Sequence, residues 1–153
     1  MQANSKTIVL ISCASMKHKS RMKAKNIYRS SLFKKSLEYA NGIKHDYIYI
    51  LSAKHHLLEL DSEIDPYDVT LSYISPNKRK PGLTVLNDIE KSNWGNKVIQ
   101  ELESVADLKN DLFIVLAGSE YITPIENKIN NLDDRLKGLK YGQRLKWLTN
   151  NTN

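Results

Sequence analysis

Three short apolar runs constrain this chain more than any other feature: Ile8-Val9-Leu10-Ile11, Tyr47-Ile48-Tyr49-Ile50-Leu51 and Leu112-Phe113-Ile114-Val115-Leu116-Ala117. Each is continuous rather than alternating, and each is β-branched or aromatic. A strand with one face in water alternates apolar and polar residues, whereas a strand covered on both faces does not. The runs therefore predict a mainly parallel central sheet flanked by helices, an α/β three-layer sandwich. Helical spacing fills the gaps. Tyr28, Leu32, Phe33, Leu37 and Ala40 share one face before Asn41-Gly42. Val98, Ile99, Leu102 and Val105 repeat ahead of the third run. Ile122, Ile125 and Ile129 follow it, with Pro124 placed near a helix start, and a last short helix carries Leu145 and Leu148.

With 153 residues, the chain is read as one domain over 1–153, its core at about residues 6–149. Pro76–Pro81, with Lys78-Arg79-Lys80, reads as an exposed loop, and the tail Asn150–Asn153 is expected to fray. A single cysteine excludes an internal disulfide framework or a multi-cysteine zinc site. No apolar run is long enough for a membrane helix, and the N-terminus lacks the apolar stretch of a signal peptide. The expectation is a cytoplasmic protein with no membrane partner.

Charge is unevenly placed. Met1–Lys44 holds ten Lys/Arg against the single acid Glu38, a net +9, while the rest of the chain holds 13 bases and 16 acids, a net −3. Lys17, Lys19, Arg21, Lys23 and Lys25 form the densest basic stretch. Such a segment attracts phosphates, so Lys19, Arg21, Lys23 and Lys25 are candidate nucleic-acid contacts. Five acids without an intervening base follow from Glu59 to Asp68.

Ligands of open α/β sheets bind beyond the carboxyl ends of the strands. The segments after the three runs are Ser12-Cys13-Ala14-Ser15-Met16-Lys17, Ser52-Ala53-Lys54-His55-His56 and Gly118-Ser119-Glu120-Tyr121. All are polar and include small residues that admit close backbone approach. They predict one pocket lined by Ser12–Lys17, Ser52–His55 and Gly118–Tyr121. Within it Cys13 is either a nucleophile or a small buried filler. Lys17 and Lys54 are cations for phosphate, and one of His55 and His56 is an acid/base group. The turn Asp65-Pro66-Tyr67-Asp68 is expected at the pocket mouth, with Asp65 or Asp68 turned to the ligand. No Walker A, G-x-G-x-x-G, G-x-S-x-G or H-E-x-x-H motif occurs. The acids lack EF-hand spacing and the histidines are dispersed, so no cofactor and no metal are expected.

The ordered motifs carry a resemblance. Ile11-Ser12-Cys13-Ala14-Ser15-Met16-Lys17, Tyr28-x-Ser30-Ser31-Leu32-Phe33, Leu51-Ser52-Ala53-Lys54-His55-His56-Leu57-Leu58, Asp65-Pro66-Tyr67-Asp68-Val69-Thr70-Leu71 and Leu116-Ala117-Gly118-Ser119-Glu120-Tyr121 together resemble the YaaA-like superfamily over about Ile8–Leu148. His56 stands where the resembling motif usually has glycine. Trp94-Gly95 resembles a Trp-Gly helix start. A more distant likeness is to the archaeosine synthase core domain, around Cys13 and Lys17. The resemblance implies an α/β fold, a polar cleft at the strand ends, and DNA or nucleotide binding.

The expected function is an enzyme directed at nucleic acid or a nucleotide, acting on a nucleobase or its N-glycosidic bond, with DNA favoured. The alternative is a DNA- or nucleotide-binding protein without turnover. Asp65, Asp68, His55 and Lys54 are the candidate catalytic residues. Ser12, Cys13, Lys17, Tyr28, Ser30, Ser52, Tyr67, Gly118, Ser119, Glu120 and Tyr121 are the candidate substrate contacts, with Tyr28, Tyr67 and Tyr121 framing a base.

Overall fold

The computed structural model describes residues 5–153. The three apolar runs become β1 (Thr7–Ser12), β3 (Tyr47–Ser52) and β8 (Leu112–Leu116). β1 lies between the other two and pairs with both in parallel, Ile8 opposite Tyr47 on one side and opposite Phe113 on the other. Ile8, Val9, Leu10 and Ile50 are fully buried, which is why these runs contain no polar alternation. Each such side chain contributes roughly 1.5–3 kcal/mol on burial.

Two edge strands complete a five-stranded sheet in the order β4-β3-β1-β8-β9. β4 (His56–Glu59) folds back antiparallel on β3, and β9 (Leu132–Asp134) adds in parallel to β8. Two small ribbons lie outside the sheet. β2 (Met22–Lys23) pairs with β5 (Glu63–Ile64), and β6 (Val69–Thr70) pairs with β7 (Thr84–Val85).

Helices cover both faces. α2 (Ser31–Gly42) and α5 (Tyr141–Asn151) pack Phe33, Tyr39, Ala40 and Leu148 against Val9, Ile11, Ile50 and Ile114. α3 (Asp88–Glu103) and α4 (Ser119–Glu126) pack Trp94, Val98, Leu102, Ile122 and Ile125 against Ile8, Leu10, Leu51 and Phe113. The short α1 (Ala24–Ile27) precedes α2. Helix starts follow from their caps: Ser30 Oγ accepts from Phe33 N–H at 3.1 Å, and Asn87 with Glu90 forms a reciprocal capping box. The amino ends of the strands are tied by carboxylates. Asp111 accepts from the N–H groups of Lys6 and Asp107, and Asp46 accepts from Thr7 N–H.

Several expectations need correction. Tyr28 is not on the helix: its C-cap position after α1 and the Ser30 cap start α2 at Ser31. Pro124 is the sixth residue of α4, not near its start, and Ile129 lies beyond that helix. Trp94-Gly95 sits in the middle of α3, because the Asn87 cap starts the helix seven residues earlier. Asn150 and Asn151 are helical rather than frayed, since Asn151 Nδ2 donates to Trp147 O at 2.7 Å. The Lys17–Lys25 stretch includes the short β2 and the start of α1. Pro76–Pro81 is exposed as expected, with a single 3-10 turn at Pro76–Lys78.

Candidate functional site

The connectivity places the site. The chain leaves β1 for α2 on one face and leaves β8 for α4 on the opposite face. Between these two parallel neighbours the strand order reverses, which opens a crevice at their carboxyl ends. A cavity of about 730 Å³ lies there. Its floor and walls include Ser12 at the end of β1, Cys13 and Lys17 after it, Gly118, Glu120 and Tyr121 after β8, and Ser30 at the start of α2. Asp68 and Thr70 enter from the β5–β7 region, joined by Arg29, Lys78, Lys80 and Arg144.

Local geometry holds the two strand-end segments. Cys13 N–H still bonds Leu51 O at 3.0 Å, and the chain beyond it is pinned to residues 27–29 by His18 N–H to Ile27 O and Arg29 N–H to Met16 O, both 2.8 Å. That pin sets Lys17 opposite Tyr28. Gly118 caps α4, and its missing side chain lets Arg144 come close: a Cβ there would stand 3.4 Å from the Arg144 guanidinium. Arg144 is itself held by Nε donating to Leu139 O at 2.9 Å.

Behind the cavity runs a buried hydroxyl network. Tyr67 OH lies 2.6 Å from Tyr28 OH and 2.8 Å from Ser52 Oγ. Ser52 Oγ accepts from His55 N–H at 2.9 Å, and Ser52 O accepts from Trp94 Nε1 at 2.8 Å. Burial, then the charge of Cys13, raises the pKa of Tyr28, Tyr67 and Tyr121 above the usual phenol range, so all three remain protonated. Tyr121 OH lies 3.5 Å from Cys13 Sγ and accepts from Leu71 N–H at 3.4 Å. Lys17 Nζ stands 4.2 Å from the Tyr67 ring centroid and 5.7 Å from that of Tyr28. Burial lowers the Lys17 pKa, countered by the Cys13 and Asp68 charges and assisted by Lys80.

The candidate residues therefore separate into groups. Ser12, Cys13, Lys17, Ser30, Asp68, Gly118, Glu120 and Tyr121 surround one cavity. Ser52, Tyr28 and Tyr67 lie behind its wall, almost wholly buried, so neither tyrosine ring is open to stack on a base. Ser119 turns to a second cavity of about 580 Å³ on the other side of Arg144. Lys54 and His55 sit on the β3–β4 turn, outside the cavity lining. Burial, then Lys54 and His56, lowers the His55 pKa, and its Nε2 is buried without a hydrogen-bond partner among the described residues. The hairpin reverses the chain directly after Ser52, which takes the second strand-end segment away from the crevice. Asp65 also lies apart; it pairs with Arg21 at 3.1 Å on the exposed surface.

The basic stretch is partly cancelled. Lys25 and Lys23 meet Asp61 at 2.9 and 3.8 Å, and with the Arg21–Asp65 pair this leaves Lys19 as the member of that surface group without a carboxylate partner among the described residues. In the cavity the balance is reversed. Its two acids are already paired, Asp68 with Lys80 at 2.8 Å and Glu120 with Lys91 at 3.1 Å. Lys17, Arg29, Lys78 and Arg144 have no carboxylate within ion-pair distance among the described residues. Arg29, Lys78 and Arg144 were not among the sequence candidates. Arg29 lies inside the Tyr28–Phe33 motif and Lys78 in the basic Lys78-Arg79-Lys80 run, whereas Arg144 lies in a segment with no local mark.

Among the described residues no three His, Cys, Asp or Glu side chains gather to hold a metal ion, and no helix is long and apolar enough to cross a membrane. The fold and cleft define an α/β protein with a cation-rich crevice at the reversal of a mostly parallel sheet. The chain matches a family of unknown function, DUF6884, over residues 8–150, and belongs to that family. Comparison with curated proteins gave no match.

Proposed function

We propose that this protein binds a phosphate-bearing nucleobase compound, a nucleotide or a DNA strand, in the β1–β8 crevice and acts on the base or its N-glycosidic bond. The observation that carries the reading is the cation surplus: of five basic side chains lining the cavity, four have no carboxylate partner among the described residues, and its two acids are already paired. An anionic ligand with little residual repulsion fits that charge, and the phosphate is the common anion of nucleotides. The exposed Tyr141 and Met16 supply apolar surface for a base at the same cavity. Asp68 lines this cavity, which supports it as the carboxylate that meets a sugar or base. The same proposal takes the architecture as three layers and the protein as cytoplasmic.

Binding without turnover is a second reading. It is favoured by the ion pairs of Asp68 and Glu120, which engage the carboxylates that glycosidic chemistry would use. One experiment separates the readings. Nucleotides and short oligonucleotides are titrated calorimetrically, and bound substrates are then incubated and analysed for free bases and altered nucleosides by mass spectrometry. Binding with product formation lost in Asp68→Asn supports the enzyme. Binding without product supports the binder. Failure of any phosphate-bearing ligand to bind removes both.

A further inference from the structure

We infer that Lys17 is an amine nucleophile which forms an imine with an aldehyde-bearing sugar, of the kind left when a base is lost from a nucleic acid strand. The inference rests on the phosphate-binding reading of the crevice and adds a covalent role to one residue in it.

The argument begins with what holds Lys17. A lysine that serves only as a phosphate ligand is a solvated point charge on a flexible stem. Lys17 differs on each count. Its backbone is pinned through the residues on either side of it, Met16 and His18. Its Nζ lies 4.2 Å from the Tyr67 ring centroid, and that ring is fixed in turn by two hydroxyl contacts. Its one hydrogen bond, to Ser15 O, is long at 3.4 Å, and no carboxylate lies within ion-pair distance among the described residues. The group is thus directed into a cavity without being consumed by a partner. Arg29, Lys78 and Arg144 line the same cavity and suffice for the anion. Burial and Lys80 favour the neutral amine, the form that attacks carbonyls, against the Cys13 and Asp68 charges and the ring faces, which favour the cation.

The step balances without a redox partner. The Nζ lone pair adds to the aldehyde carbon, and the carbonyl π pair moves to oxygen. That oxygen takes a proton from the Tyr121 hydroxyl, which lines the cavity. The positively charged nitrogen returns a proton to the Tyr121 phenolate, the carbinolamine hydroxyl takes a second proton from the same group and leaves as water, and the nitrogen gives its remaining proton back to the phenolate as the carbon–nitrogen double bond forms. The phosphates flanking the sugar stay on the cations around the cavity.

The test uses the full chain, an oligonucleotide with a single abasic site, and sodium cyanoborohydride to reduce the imine. An adduct is measured by intact mass and mapped by peptide sequencing, and binding of the same strand with and without the abasic site is measured separately. The expected result is an adduct on Lys17 that falls at least about tenfold in Lys17→Arg, which keeps the charge but not the nucleophile. An absent adduct, or one distributed over Lys78 and Lys80 and unchanged in Lys17→Arg, overturns the inference. If the strands bind but no adduct forms, only this inference fails; if neither strand binds, the reading of the crevice fails with it. The mapped position in the parent protein decides the matter even if Lys17→Arg folds poorly.

Discussion

Replacing Gly95 by alanine tests how α3 and α4 together hold the crevice. A Cβ on Gly95 would stand 2.7 Å from the Pro124 Cβ and 2.9 Å from its carbonyl carbon, and nearer still to its carbonyl oxygen. These are backbone and ring atoms of the facing helix, so no flexible side chain can swing away. Alanine gains about 1 kcal/mol over glycine in a helix interior. Overpacking a tight contact costs roughly 1–3 kcal/mol, and the backbone contact here puts the cost at the upper end. The net expectation is a loss of about 1–2 kcal/mol, a Tm lower by about 2–8 °C for a chain of this size. The displacement also reaches the site. α4 begins at Ser119, and Trp94, beside Gly95, stacks edge-on against Tyr121 at 5.8 Å. Ligand affinity should therefore fall in Gly95→Ala even at temperatures where the variant is fully folded. Gly142→Ala in α5, whose added Cβ meets nothing within 4 Å, is the matched control: it should gain up to about 1 kcal/mol of stability and leave ligand affinity nearly unchanged. Thermal unfolding and calorimetric titration read the two effects. A Gly95→Ala protein as stable as the parent would show that the helices separate at little cost, and the reasoning would fail.

Two further outcomes follow from the β3–β4 turn. His56 has a φ of 62°, the left-handed region that glycine enters freely, so His56→Gly should raise stability by about 0.5–1 kcal/mol, measured by denaturant unfolding. Burial holds the pKa of His55 below its ordinary value, with Lys54 and His56 adding to the effect. Below about pH 6.5 the unfolded chain then binds more protons than the folded one, so this stability is present above that pH and is lost as pH falls through the folded pKa. His55→Gln should flatten the decline in Tm between about pH 7 and pH 5; an equal decline in the variant would assign it to other groups.

The sheet was legible because its evidence is local. A run such as Ile8–Ile11 states its own burial, and the parallel order follows once helical spacing separates the runs. β9 was not legible, since Leu132-Asp133-Asp134 is three residues long, two of them acidic; only its register against β8 makes it a strand. The start of α2 was misread because Tyr28 has helical spacing to Leu32, yet Ser30 is the better cap and stops the helix short of it. The strand-end rule located the segments after β1 and β8 but failed after β3, because a hairpin, unlike a crossover, carries its residues away from the crevice. His56 occupies the position that the resembling motif gives to glycine, and the backbone there is left-handed. That substitution was readable in the sequence; its conformation was not.

Charge density along the chain and charge available in space are different quantities, and they make opposite predictions about phosphate contacts. By density, Lys19, Arg21, Lys23 and Lys25 are the nucleic-acid face. In the fold, the β2–β5 ribbon brings Glu59–Asp68 alongside them, and three of the four meet carboxylates. Those pairs are exposed and each is worth only about 0–1 kcal/mol, but a polyanion approaching them meets a nearly neutral surface. Arg29, Lys78 and Arg144 come from three separate segments and converge on a cavity whose acids are paired. Each cation that contacts a phosphate adds nearly one unit to the slope of log affinity against log salt. Arg29→Gln with Lys78→Gln should therefore flatten the slope by about two units, whereas Lys23→Gln with Lys25→Gln should change it by less than about half a unit. Fluorescence anisotropy with a short oligonucleotide across a salt series measures both. A larger change in the Lys23/Lys25 variant would mean that the ribbon, not the crevice, carries the phosphate backbone.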